Sequence, residues 1–214
     1  MSSAATGTVA LLLPDDWFVI NLEDDEARVA AVAEVVQRQL GAWDQLAGVR
    51  EALRRDLEAS TERAARGGGV LMAISVQAAD TFPVPASVTV LRQPGTLVDG
   101  ADAPIARAML RHYEAGQTVD LASGDCGRVL RRTRTTRAFS ELTGEAALEM
   151  LLADYWVEPV DGAGLFYLVF SSPLVSAREE LMAVFDAIVA SLRVLGPPEE
   201  APSQGASPEG GSSV

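Results

Sequence analysis

The chain has one cysteine, one histidine and no lysine among its 214 residues, and aromatic residues make up only 6% of it. A lone Cys126 closes no disulfide within the chain, which fits a reducing compartment. One cysteine and one histidine, His112, also fall short of the ligand sets that build zinc sites, and no metal or other cofactor is expected. No run of about 18 apolar residues occurs, so no membrane insertion is expected. The early stretch VALLLP runs straight into Asp15 and Asp16, and no basic residue precedes it, which is unlike a secretory signal. A cytoplasmic location is the expectation.

Charge is abundant but lopsided. Thirty acidic residues stand against seventeen arginines, a net charge of -13, which disfavours partners that need a positive field, nucleic acid and anionic lipid among them. Arginine as the only strong base, beside plentiful Ala, Gly and Val, suggests GC-rich coding of an actinobacterial kind. A hydrophobic content of 48% is enough for one sizeable core.

The organisation follows from composition and period. Residues 1–6 are expected to fray, residues 7–195 to form a single domain, and residues 196–214, GPPEEAPSQGASPEGGSSV, to be disordered for want of apolar side chains. Within the domain, TGTVALLLPDDWFVINL reads as two extended pieces around Pro14, a strand pair or a bent edge strand, with Trp17, Val19 and Leu22 on one side. Val29, Val32, Val36, Leu40 and Trp43 recur at helical spacing behind an acidic start at Glu23 to Glu26. Leu46, Val49, Leu53 and Leu57 predict a second helix that ends at Gly67.

Strands are then predicted in GVLMAISVQA and VPASVTVLRQ, a short helix over 104–116 that carries His112, and strands in QTVDLASG and GRVLRRTRTTR. DGAG, a turn signal, separates EAALEMLLADYWVEPV, of which 145–153 fits a helix by composition as well as a strand, from LFYLVFSS, which is apolar on both alternating faces, as a central strand covered on both sides would be. A last helix is predicted from Ser176 as N-cap and Glu179 as its capping-box partner, with Leu181, Val184, Phe185, Ile188 and Leu192 on one face. About seven strands, three to four helices and hairpin connections predict an α+β fold with a mainly antiparallel sheet flanked by helices.

The most site-like stretch is GDCGRVLRRTRTTR, residues 124–137, with five arginines. Guanidinium is a planar fork suited to carboxylate or phosphate. Arg128, Arg132 and Arg134 are candidates for contact with an anion or an acidic partner; the plainer reading is an edge strand guarded by charge against pairing. Cys126 is a candidate nucleophile only if its pKa is depressed, with Arg128 assisting and His112 as base. The plainer reading is a small loop residue. Trp17, Phe18, Tyr155 and Trp156 are candidate interface aromatics, or core. RGGGV, 66–70, follows a helix and precedes a strand, the reverse of a phosphate loop.

The opening LPDDWFVINL and the closing YLVFSSPLVSAREELMAVFDAIVASLR, in which a strand passes through Ser-Pro into an amphipathic helix, resemble PsbP-like proteins, including the bacterial LpqN-type group. The resemblance implies an α/β/α sandwich and a non-enzymatic binding or accessory role, and it transfers no catalytic residue. The chain departs from that group in lacking a lipobox. The expectation is a protein-interaction module; the alternative is an enzyme or small-anion binder that uses Cys126, His112 and strand 128–137.

Overall fold

The computed structural model describes residues 2–6, 9–41, 44–76, 84–97, 117–138, 148–160 and 164–195. Ten strands and three α-helices follow in chain order among these residues. They are β1 (Ser2–Thr6), β2 (Val9–Leu13), β3 (Trp17–Asn21), α1 (Asp25–Leu40), α2 (Ala47–Arg66), β4 (Gly69–Ser75), β5 (Ser87–Gln93), β6 (Thr118–Gly124), β7 (Gly127–Ala138), β8 (Leu148–Glu158), β9 (Leu165–Ser172), α3 (Arg178–Ala190) and β10 (Arg193–Val194). The predicted helix over 104–116, with His112, and the predicted tail lie outside the described residues.

Seven strands form one antiparallel sheet in the order β3-β4-β5-β9-β8-β7-β6. The strand predicted to be central is central. In β9, Phe166, Leu168 and Phe170 face one core, while Leu165 and Tyr167 face another. α1 and α2 cover one face through Ile20, Leu22, Val32, Val35 and Met72. α3 and a second sheet cover the opposite face, where Phe185 stacks on Phe170 with centroids 4.5 Å apart. The result is an α+β fold consistent with a sandwich.

That second sheet, β1-β2-β10, is the part no periodicity announced. Residues 2–6, expected to fray, pair antiparallel with Val9–Leu13. The two extended pieces around Pro14 therefore do not pair with each other. β2 joins the small sheet and β3 the large one, and strand alternation puts Leu22 with Phe18 and Ile20, opposite Trp17 and Val19.

Two helix details also differ from expectation. α1 starts as its acidic cluster implied, with the Asp24 carboxylate accepting from the Ala27 N–H at 2.9 Å, but Val29 is exposed and Val35 takes a buried place. At α3 the expected capping box does not form. A one-turn 3-10 segment, Val175–Ala177, leads into the helix, and Ala177 stands at the N-cap with no side-chain bond. Ser176 is thereby spent inside the turn, and Val184 faces solvent.

Candidate functional site

The arginine strand is not an edge. β7 lies between β6 and β8, so its arginines meet cross-strand partners on both sides, and alternation sends them to opposite faces. Each face holds an aspartate that the sequence reading did not single out.

On the α1/α2 face, Asp154 lies directly opposite Arg132 and is 0% exposed. Its Oδ2 accepts from Arg132 Nε at 2.8 Å, from Arg132 Nη2 at 2.6 Å and from Arg134 Nε at 3.3 Å. Its Oδ1 accepts from the Tyr167 hydroxyl at 2.8 Å. Trp156 stacks on Tyr167 with centroids 4.7 Å apart, and the Arg132 guanidinium lies 5.5 Å from the Trp156 ring centroid. Farther along the same face, Arg128 pairs with its cross-strand neighbour Glu158 at 3.2 Å. The arginines expected to meet an anion or an acidic partner are thus engaged within the fold. A buried carboxylate persists only when paired, and Asp154 is paired on both oxygens.

On the α3 face, Arg131 lies opposite Asp120 on β6 and Tyr155 on β8. Its Nη1 donates to Asp186 Oδ2 at 2.6 Å and its Nη2 to Asp120 Oδ2 at 2.9 Å. The Tyr155 hydroxyl donates to Asp186 Oδ1 at 2.8 Å. Arg131 Nε is buried with no partner. Beside this cluster, between the β6–β7 hairpin and α3, opens a cleft of about 260 Å³. Its walls are largely small and apolar, with Ala122, Val129, Val189 and Ala190 among them, and the Arg131 cluster lies at its polar end.

Ionisation follows this geometry. Burial pushes the Tyr155 phenol well up, and the Asp186 carboxylate that accepts its hydrogen bond adds to the effect. Tyr167 is raised in the same way, by burial first and then by Asp154. Burial alone would lower Arg131, but its bonds to Asp120 and Asp186 outweigh that and hold it protonated.

Cys126 lines the same cleft and is 6% exposed. Burial raises its thiol pKa despite the nearby Arg193, which is the reverse of what a nucleophile needs. His112 lies outside the described residues, so the Cys126–His112 pairing is not addressed by them. Of the aromatic candidates, Tyr155 and Trp156 are buried, Trp17 is half-buried against the α3-side core, and half-buried Phe18 carries the Arg38 guanidinium 4.8 Å from its ring centroid. No group of three or more His, Cys, Asp or Glu side chains that could hold a metal occurs among the described residues, nor does a helix long and apolar enough to cross a membrane.

A sequence signal for the two missed aspartates existed. Each is a single acid inside an apolar run, LLADYWV and AVFDAIVA; Asp154 is buried there, where an unpaired carboxylate would be too costly, while the Asp186 side chain stays 45% exposed.

No protein-family model and no curated protein matches the chain. Among solved structures, the chain is similar to LpqN of Mycobacterium tuberculosis, a protein involved in cell envelope biogenesis. The likeness covers 88% of this chain and 83% of that one, at 15% identity and a TM-score of 0.40. It is a weak structural similarity, of the LpqN type that the closing strand and helix suggested.

Proposed function

We propose that this chain is a non-catalytic, cytoplasmic protein-interaction module whose binding surface is the cleft between the β6–β7 hairpin and α3. The observation that carries the reading is the contrast between the two polar clusters. Asp154 closes its side of the sheet, whereas the Asp186 cluster borders an apolar-walled cleft. The thiol beside that cleft is held protonated by burial, which favours binding over nucleophilic chemistry. A single buried, unpaired cysteine suits a reducing compartment.

The partner that fits is a protein segment with a small apolar side chain next to a basic group. The polar end of the cleft sets two carboxylates, Asp120 and Asp186, against one guanidinium, on a chain whose net charge is -13. This sign is opposite to that expected of the arginine strand, because Arg128, Arg132 and Arg134 are already engaged with Glu158 and Asp154.

In-cell photo-crosslinking tests the reading. A crosslinking residue in place of Ala190, which lines the cleft and is exposed, should give a discrete adduct with another protein, and the same residue in place of exposed Val29 on α1 should not. No adduct at Ala190, equal adducts at both positions, or an adduct only with a second copy of the chain would sink it.

A further inference from the structure

The two borders of the large sheet are built differently. β3, at one end, is packed beneath α1 and has no residue fully exposed. β6, at the other end, is exposed at every position except the half-buried Val119. Sheet edges are usually blunted by lysine, proline, a bulge or an inward-pointing charge. The sequence of β6, TVDLASG, has neither proline nor basic residue, pairs with β7 without a break in register, and its one charge, Asp120, is bound to Arg131. At its centre Leu121 is 60% exposed.

The hairpin turn determines which backbone groups are free. Only Asp125 and Cys126 separate the paired residues Gly124 and Gly127, so Gly124–Gly127 is the hydrogen-bonded closing pair. Hydrogen-bonded rungs then fall on every second residue, at Ala122–Val129, Asp120–Arg131 and Thr118–Thr133. The N–H and C=O groups of Val119, Leu121 and Ser123 consequently point away from β7, toward the open side.

We infer that β6 pairs antiparallel with β6 of a second copy, about a two-fold axis through Leu121. In that register Leu121 meets Leu121, Val119 meets Ser123, and Asp120 meets Ala122, so no two carboxylates face each other. The outward groups of Val119, Leu121 and Ser123 exchange roughly six backbone hydrogen bonds. The leucines form an apolar cross-strand pair on one face. A register centred on Asp120 would set the two carboxylates directly opposite, and one centred on Ala122 would pair Leu121 with Ser123. The self-complementary choice is the one at Leu121. This pairing uses the strand backbone, so it stands whether or not a partner occupies the cleft.

Light scattering of the full chain over a hundredfold concentration range should show a shift from one chain mass toward two. Leu121→Lys sets like charges opposite each other and should abolish the shift. Leu12→Lys, at another exposed leucine, should leave it intact. A chain that stays monomeric throughout, or a dimer that survives Leu121→Lys, overturns the pairing. Register is tested separately in a Cys126→Ser background. Under mild oxidation Leu121→Cys should yield a disulfide-linked dimer, because facing Cα atoms lie about 5.5 Å apart in a hydrogen-bonded pair. Ala122→Cys should not, because its Cα atoms would lie beyond the roughly 7 Å limit. Equal linking by both variants, or none by Leu121→Cys, overturns it as well.

Discussion

Strand β7 supplies arginines to two Arg–Asp–Tyr clusters on opposite faces of one sheet, and the two differ mainly in burial. Asp154 is 0% exposed, whereas the Asp186 side chain is 45% exposed. Around Asp154 two arginines and a tyrosine engage both carboxylate oxygens, and a stacked Trp156–Tyr167 pair lies beside them. Around Asp186 one guanidinium is shared by two carboxylates, its Nε is left unpaired, and a cleft opens alongside. The same residue types thus build a closed structural joint on one face and an incompletely satisfied, accessible one on the other.

The largest expected effect comes from breaking the closed cluster. Asp154→Ala leaves two half-buried guanidinium groups and a half-buried phenol without their acceptor, and denaturant unfolding should show a loss of about 3–5 kcal/mol. A loss below about 1 kcal/mol would mean that the face is open to water and the contrast between the clusters is wrong.

Alkaline pH should act next, on both clusters at once. The phenols of Tyr155 and Tyr167 are raised in the fold above their unfolded value of about 10. A raised folded pKa contributes stability that is complete below the unfolded value and is lost as pH rises above it. The thermal midpoint should therefore hold through neutral pH and fall beyond about pH 10, and Tyr155→Phe with Tyr167→Phe should flatten that fall. An equal slope in the double variant would exclude these phenols as its source.

The smallest effect is expected at the open cluster. Asp186→Ala removes charge-assisted bonds from a carboxylate nearly half in water, so the cost should be about 1–2 kcal/mol by the same unfolding measurement. If it equalled that of Asp154→Ala, burial would not be what separates the two faces.

Much of the fold was legible along the chain, because each readable element declares itself by a period. The doubly apolar run at Leu165 to Phe170 marked the central strand, and the acidic start of α1 marked its N-terminus. The small sheet was not legible, since β10 has only two residues and β1 is the short segment SSAAT, with no apolar alternation. Nor was the orientation of α3's start. A Ser followed three residues later by Glu fits a capping box, but the extra 3-10 turn moves the helix start past it.

The candidate site was legible only in part. The alternation of Arg132 and Arg134 against Arg131 and Arg137 follows from strand geometry alone. Their status as paired rather than free depends on Asp154 and Asp186, which lie 22 and 55 residues away from their arginine partners along the chain. Local pattern carries no information about contacts at such separation, which arise only when β8 and α3 dock against β7.

By itself the sequence determined the types of the longer described elements, the central place of β9 and the splitting of the arginines between two faces. These follow from side-chain period and hydrophobicity, which act over a few residues. Only the tertiary structure decided that β7 is interior, that one aspartate is sealed while the other borders a cleft, and that β6 is the outermost strand at its end of the large sheet among the described residues. Those outcomes depend on which strands neighbour one another and on what covers each face, and both are fixed by packing between distant segments.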